Sequence, residues 1–200
     1  MLDENYWNSK YQHQQTGWDL GQVSPPIKAY INQLKNKEIA ILIPGAGNGH
    51  EAIYLLENGF KNITVVDLAE IALDNLKSKL RNINPSYYHL EKGDFFNHQG
   101  QYDLILEQTF FCALHPDLRG NYVKHMQQLL KPNGKLAGLL FSKTFPFEGP
   151  PFGGSKKEYL DLFEAYFDIK IMEEAYNSVK PRLSSELFVL FKRKYLVLSS

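Results

Sequence analysis

The sequence predicts a three-layer α/β fold, with a mostly parallel sheet between helices and an antiparallel hairpin at its C-terminal end. Apolar, β-branched runs alternate with segments of helical spacing through most of the 200 residues. This alternation is typical of parallel strands buried between two layers of helices. The stretch YNSVKPRLSS joins the last two strand candidates. It is too short for a helical crossover, which indicates that these two strands run antiparallel.

The predicted elements follow one another without internal repeats or low-complexity linkers. The strand candidates are EIAILI, NITVVDL, SYYHLE, YDLILEQ, GKLAGLLFS, FDIKIMEEA and SELFVLFKRK. The helix candidates are HEAIYLLEN, AEIALDNLKSKLR, RGNYVKHMQQLLK and KKEYLDLFEAY. We expect Gly59 to close the first helix and Pro132 to stop the third. Open α/β sheets bind ligands beyond the carboxyl ends of their strands, so the site is expected in the loops that follow the strands.

Composition excludes several classes of protein. Two hundred residues suit a single domain, 1–200. The 22 basic and 22 acidic residues balance, whereas nucleic-acid binders usually carry a basic excess. The single Cys112 excludes an internal disulfide and fits a reducing compartment. The polar N-terminus and the lack of a long apolar run predict a cytoplasmic chain that does not enter a membrane. The histidines show no metal-ligand spacing, so no metal is predicted.

The stretch IAILIPGAGNGHEAIYLL places Gly45, Gly47 and Gly49 between a strand and a helix. Glycine is needed where φ is positive or where a ligand approaches the main chain, and the amides at the start of the helix point at such a ligand. A dinucleotide fingerprint requires glycine at position 50, which is His50 here. The loop therefore favours a ligand without a pyrophosphate and argues against a dehydrogenase. A tight turn in any α/β protein is the alternative.

Acidic residues end or follow the next three strand candidates. Asp67 ends the second, one strand after Gly45, where a carboxylate can accept hydrogen bonds from both ribose hydroxyls. Capping of the following helix is the alternative role. Asp94 follows the third strand and could accept from an exocyclic adenine amine, with Phe95 packed on the base. Glu107 ends the fourth strand. Together these residues indicate a nucleoside-shaped ligand.

Seven segments between about Trp7 and Lys192 point to a known family. They are GWDLGQVSPPI, IPGAGNGHEA, VVDLAEIAL, GDFF, YDLILEQTFFCALHPDLRGNY, LLKPNGKL and GPPF, of which TFFCALHPDLR is the most specific. The chain resembles the class I S-adenosylmethionine-dependent methyltransferases, and among them the thiopurine, thiol and halide methyltransferase family. The resemblance implies a Rossmann-like class I methyltransferase fold, with S-adenosylmethionine as cofactor and S-adenosylhomocysteine as product. It also implies methyl transfer to a small soft nucleophile such as a thiol, sulfide, thiocyanate or halide.

The resemblance also implies the site residues. Those expected at the cofactor are Trp7, Trp18, Gly45, Gly47, Asp67, Leu68, Asp94, Phe95 and Glu107, and those expected at the acceptor are Tyr11, Phe111, Arg119 and Phe152. Residues 1–30 are expected to cap the cofactor site. Plant thiol and halide members carry tryptophan in place of Tyr11 and tyrosine in place of Phe152. Animal thiopurine enzymes carry arginine in place of Gln108, so a thiopurine acceptor is disfavoured. These three departures all concern the acceptor.

The expected chemistry needs no strong base. Attack by a thiolate or halide on a sulfonium neutralises opposite charges, which a dry aromatic pocket favours, and alignment of the reactants about 3–3.5 Å apart supplies most of the rate. The alternatives are an oxygen or metalloid methyltransferase of the same fold, a nucleic-acid methyltransferase, and a non-catalytic module that binds S-adenosylmethionine. The expected partner is a small-molecule acceptor, and the expected assembly is a monomer or weak homodimer.

Overall fold

The computed structural model describes residues 2–195 and divides into two compact units, Met1–His98 and Gln99–Ser200. The strands of the described residues form a seven-stranded mixed sheet. Most neighbouring strands are parallel, and the C-terminal strands are antiparallel. The predicted α/β fold class is therefore confirmed. Within residues 2–195, no helix has the length and apolar character needed to cross a membrane.

The first unit is built on three parallel strands in the order β3-β2-β1. Its elements in chain order are α1 (Glu4–Gln12), α2 (Pro25–Ile31), β1 (Ile41–Pro44), α3 (His50–Glu57), β2 (Ile63–Asp67), α4 (Glu70–Lys79) and β3 (Tyr88–Lys92). β1 is buried along its whole length, and β2 is buried except at its last residue. The continuous burial explains why both strands are runs of aliphatic residues without alternation.

Helix α1 buries none of its residues and is held to the unit by polar contacts. The Asn8 side chain accepts a hydrogen bond of 3.2 Å from the amide of Ile71, in the first turn of α4. Lys92 forms ion pairs with Glu4 at 2.8 Å and with Glu70 at 3.0 Å. All three of these charged side chains are substantially exposed, so the ion pairs add little stability. These polar contacts join the N-terminal helix to α4 and β3, in addition to the ring contacts of Trp7 and Tyr11 with Trp18.

The second unit combines a parallel and an antiparallel part. Its elements are β4 (Tyr102–Gln108), α5 (Arg119–Leu129), β5 (Leu130–Phe141), α6 (Lys156–Phe163), β6 (Phe167–Glu174) and β7 (Glu186–Arg193). The strand order is β4-β5-β7-β6, with β4 parallel to β5 and β7 antiparallel to both of its neighbours. The predicted C-terminal hairpin is therefore present, and its second strand lies between β5 and β6.

Strand β5 begins earlier than the sequence predicts. The pattern GKLAGLLFS starts the strand at Gly134, whereas the structure starts it at Leu130 and ends α5 at Leu129. Leu130 pairs with Tyr102, and the register then shifts. Asn133 takes up this irregularity in a left-handed conformation with φ 64°. The expected stop at Pro132 is thus displaced toward the N-terminus, because strand pairing resumes before the proline.

Candidate active site

The glycine loop joins β1 to α3 in the first unit, and its glycines serve different purposes. Gly47 has φ +52°, and a Cβ built on it would meet nothing within 4 Å. This part of the loop is open to an approaching ligand. Gly49 also has positive φ, but a Cβ there would overlap the side chain of Leu76 in α4. Gly47 therefore fits the predicted approach of a ligand, whereas Gly49 allows α3 and α4 to pack closely.

Asp67, the last residue of β2, holds the glycine loop through its carboxylate. One oxygen accepts from the amide of Ala46 at 2.6 Å, and the other accepts from the amide of Ala69 at 2.7 Å. Burial raises the pKa of Asp67, and the hydrogen bonds from Ala69, Ala46, Gly47 and Leu68 act in the opposite direction. Each carboxylate oxygen can accept more than one hydrogen bond, and the side chain is partly exposed. Asp67 therefore holds the glycine loop, and its contact with the hydroxyls of a ribose stays a prediction.

Three aromatic residues of the N-terminal segment form a cluster beside this carboxylate. The Trp18 ring lies edge-to-face with Trp7 and with Tyr11, at centroid distances of 5.7 and 5.8 Å. Burial raises the pKa of Tyr11, and the negative charges of Asp67 and Asp19 raise it further. The Tyr11 phenol therefore lies within the field of the two carboxylates. The structure brings together Trp7, Trp18 and Asp67, which are predicted at the cofactor, and Tyr11, which is predicted at the acceptor. Their contacts with either ligand stay predictions.

Asp19 ties the N-terminal segment to the glycine loop. Its carboxylate accepts hydrogen bonds from His50 at 2.8 Å, from the Gly21 amide at 2.9 Å, and from the side chain of Asn48. Burial acts to raise the pKa of Asp19, but these hydrogen bonds together hold it below its ordinary value. Asn48 and His50 were not among the predicted site residues. No spacing in the sequence signals a contact to Asp19 that spans about thirty residues.

The loop after β3 is connected to Asp67 through the main chain. The amide of Gly93 donates to the Asp67 carbonyl at 3.0 Å, which places the predicted adenine contact, Asp94, next to the predicted ribose contact. One oxygen of Asp94 accepts from the Phe96 amide at 3.0 Å and caps a 3₁₀ turn. Phe95 is 3% exposed, so its ring is largely enclosed by protein. The contacts of Asp94, Phe95 and Leu68 with a cofactor stay predictions.

Glu107 ends β4 in the second unit and is 1% exposed. One carboxylate oxygen accepts from the amides of Phe110 and Phe111, at 2.8 and 2.9 Å, and the other accepts from the Tyr122 hydroxyl at 2.6 Å. Burial raises the pKa of Glu107 against the effect of these bonds. The side chain therefore holds the loop after β4 from inside. Its predicted contact with the cofactor stays a prediction.

The predicted acceptor residues of the second unit are linked by the segment 152–154. The Phe152 amide donates to the Cys112 carbonyl at 2.7 Å, and Arg119 donates to the Gly153 carbonyl at 2.7 Å. Arg119 also forms an ion pair with Glu158 and lies 4.9 Å from the centroid of the Phe111 ring. The structure thus joins Phe111, Arg119 and Phe152.

Within this group, the exposure of the side chains differs. Phe111 is 1% exposed and packs against the aromatic rings of Tyr122, Tyr159 and Phe163. Arg119 is 6% exposed, and its guanidinium binds within the protein. Phe152 is partly exposed. Phe111 and Arg119 therefore support the loop after β4 and the segment 152–154 from inside, whereas the side chain of Phe152 is accessible. Direct contact of any of them with an acceptor stays a prediction.

Comparison with known proteins gives a consistent result. Residues 2–198 match the family described as thiopurine S-methyltransferase (TPMT). A probable thiol methyltransferase 2 of Arabidopsis thaliana is 30% identical over 165 residues, which cover 80% of this chain and 73% of the relative. Thiocyanate methyltransferase 1 of Brassica oleracea is 27% identical over 196 residues, covering 96% and 86%. A thiopurine S-methyltransferase of Vibrio parahaemolyticus is 29% identical over 184 residues, covering 83% and 84%.

The fold has solved counterparts. The crystal structure of Burkholderia thailandensis 1,6-didemethyltoxoflavin-N1-methyltransferase, with bound 1,6-didemethyltoxoflavin and S-adenosylhomocysteine, superposes with a TM-score of 0.78. The superposition covers 96% of this chain and 86% of the other, at 20% identity. At that identity the likeness supports the fold alone. The overall fold of this chain is thus shared with a methyltransferase of known structure.

Proposed function

The chain belongs to the thiopurine S-methyltransferase family and is an S-adenosylmethionine-dependent S-methyltransferase, and from this we propose that its acceptor is a small soft nucleophile. Thiols, sulfide, thiocyanate and halides are the acceptors in question. Relatives in the same family are named thiol and thiocyanate methyltransferases. We extend these classes of methyl acceptor to the present chain. The support comes from the side chains of the loop after β4 and of the glycine loop.

The observation that supports this class of methyl acceptor is that the Glu107 carboxylate is hydrogen-bonded within the protein. Both of its oxygens accept hydrogen bonds from the protein, so this carboxylate is not placed to remove a proton. Burial also raises the pKa of the neighbouring Cys112 thiol, which keeps that group protonated at neutral pH. A thiolate or a halide brings its own electron pair and needs no base. Such an acceptor is compatible with the buried Glu107 and Cys112, neither of which is placed to act as a base.

The cofactor half of the proposal rests on Asp67 and the open loop at Gly47. These residues fit a nucleoside that carries hydroxyls and no pyrophosphate. When bound, S-adenosylmethionine supplies an electrophilic methyl group, and its sulfur keeps the electron pair of the bond that breaks. Asp67 would bind the ribose, and the Trp7–Tyr11–Trp18 cluster would shield the site from water. A sulfonium is also attracted to the faces of aromatic rings.

We propose in addition that residues 1–30 form a cap over this cofactor site. Asp19 supports the cap by binding Asn48 and His50 of the glycine loop, and Glu51 supports it by accepting from the Ser24 amide at 3.1 Å. The whole chain, 1–200, would act as one catalytic domain and as a monomer or weak homodimer. The balanced charge supports an enzyme that does not bind nucleic acid, and the free Cys112 supports a cytoplasmic one. The proposal also includes no metal and no membrane binding.

The test is formation of S-adenosylhomocysteine from labelled S-adenosylmethionine with sulfide, thiocyanate, iodide, an aryl thiol, a thiopurine and a catechol. We expect turnover on sulfur or halide acceptors and little on the catechol. The control is Asp67→Ala, which should lose activity at subsaturating cofactor on every acceptor alike. Turnover of the catechol alone would overturn the acceptor class. Tight binding of S-adenosylhomocysteine without turnover of any acceptor would support a non-catalytic module.

A further inference from the structure

Lys143 lies just beyond the carboxyl end of β5, and its main chain is fixed on both sides. The preceding amide, of Ser142, donates to the Ser185 carbonyl at 2.9 Å, and the Lys143 carbonyl accepts from Gly154 at 3.1 Å. A side chain at Gly153 would overlap the Lys143 carbonyl. The backbone of Lys143 is therefore held against the segment that also carries Phe152. Ligands of open α/β sheets bind at this end of the strands.

The ammonium group of Lys143 lies over two aromatic rings. Its Nζ is 4.7 Å from the centroid of Phe145 and 5.6 Å from that of Phe141. The two rings are edge-to-face, with centroids 5.2 Å apart, and the lysine is half-buried. Cation–π contacts of this kind replace part of the hydration of the ammonium. They hold the charge in place without neutralising it.

The two neighbouring arginines are already neutralised by carboxylates. Arg119 pairs with Glu158, and Arg182, which also lies over Phe141, pairs with Glu186 at 3.2 Å. Lys143 differs from both, because no carboxylate comes within ion-pair distance of its Nζ anywhere in residues 2–195. The Lys143 ammonium is therefore a half-buried positive charge that no carboxylate of the described residues balances, and such a charge attracts anions.

We propose that Lys143 binds the anionic methyl acceptor, with weakly hydrated anions such as thiocyanate and iodide preferred over strongly hydrated ones. This inference rests on the proposed function and narrows its acceptor class. Phe152 offers no hydroxyl to an anion, and the Lys143 ammonium supplies the attraction instead. The negative charge of the acceptor disappears as the methyl group is transferred, so the attraction to Lys143 is strongest before the reaction. Lys143 therefore lowers the KM of the anionic acceptor and does not raise kcat, as expected for a specificity-determining residue.

The first measurement is binding of thiocyanate, by calorimetry, to protein saturated with S-adenosylhomocysteine at constant ionic strength. Lys143→Met should weaken binding about tenfold, since a partly exposed charge-assisted contact is lost. Lys143→Arg should retain most of it. The matched control is Lys156→Met, which removes an exposed lysine at the start of α6 and should leave the affinity unchanged. Equal thiocyanate affinity in the wild type and Lys143→Met would overturn the proposal.

The second measurement is turnover, which separates this inference from the proposed function. Lys143→Met should raise KM for thiocyanate and iodide about tenfold and leave KM for the uncharged dimethyl sulfide unaltered. An equal rise in KM for the uncharged acceptor would show a general packing defect and overturn the anion role. Thiocyanate binding that depends on Lys143, in a protein that methylates no acceptor, would contradict the proposed function while supporting the anion site.

Discussion

Replacing Asp67 with alanine should separate two roles of one carboxylate, which are the observed binding of loop amides and the proposed binding of the ribose. The side chain accepts hydrogen bonds from Ala46 and Ala69, and it is proposed to accept from the ribose as well. A charge-assisted hydrogen bond contributes roughly 1.5–3 kcal/mol. Loss of the ribose contact should therefore raise the dissociation constant of S-adenosylhomocysteine by about 10- to 150-fold. Loss of the hydrogen bonds from Ala46 and Ala69 should also lower the free energy of unfolding, by about 3–6 kcal/mol at the same contribution for each bond.

Calorimetric titration with S-adenosylhomocysteine measures the first effect, and urea unfolding measures the second. Asp67→Asn keeps one acceptor oxygen and should give an intermediate dissociation constant, which guards against a poorly folded alanine variant. Asp74→Ala makes the same chemical change on the exposed face of α4 and should leave both quantities unchanged. An Asp67→Ala protein that is folded and binds S-adenosylhomocysteine within about twofold of the wild type would refute the ribose role.

Three further outcomes are expected. Glu107→Gln should unfold at nearly the wild-type urea midpoint at about pH 4. As pH rises to about 8, the free energy of unfolding of the variant should increase relative to that of the wild type. The reason is that burial raises the pKa of Glu107, so ionisation at high pH costs the folded wild type; a falling difference would contradict this. Asp19→Asn should lose up to about 1 kcal/mol of stability near pH 6 and progressively less as pH falls below about 4, because the contribution of Asp19 is lost as pH falls through its lowered pKa; a loss that does not shrink at acid pH in urea unfolding would exclude the pairing. Phe152→Tyr should shift turnover from thiols toward iodide, and an unaltered ratio in the methyl-transfer assay would count against a place for Phe152 at the acceptor.

Much of the first unit can be predicted because its signals are local. Burial on both faces requires the aliphatic runs of β1 and β2, and a strand-to-helix turn with positive φ requires glycine. Asp67 could be picked out because it is the last residue of a buried strand, where a carboxylate has few uses other than binding amides or a ligand. The structure shows that it binds amides through both oxygens. The ligand role and the capping role are therefore compatible.

The contacts that could not be predicted join residues far apart in the sequence. Asp19 meets His50 and Asn48 about thirty residues away, and nothing in their spacing distinguishes them from solvated polar residues. Gly49 belongs to the glycine pattern, yet glycine is required there because a side chain would overlap Leu76. A pattern of glycines indicates positions from which a side chain is excluded. It does not indicate whether a ligand or another helix excludes it.

Asp67 and Glu107 show why the chemical type of a residue at a strand end does not determine its role. Both are carboxylates on the last two positions of a buried strand, and burial raises the pKa of both. Asp67 is partly exposed and accepts from main-chain amides, whereas Glu107 is enclosed and accepts from Phe110, Phe111 and Tyr122. Exposure, which the residue type does not determine, is what makes a carboxylate accessible to a ligand. By this criterion a direct contact with a nucleoside is proposed for Asp67, and Glu107 is assigned to holding the loop after β4 through the amides of Phe110 and Phe111.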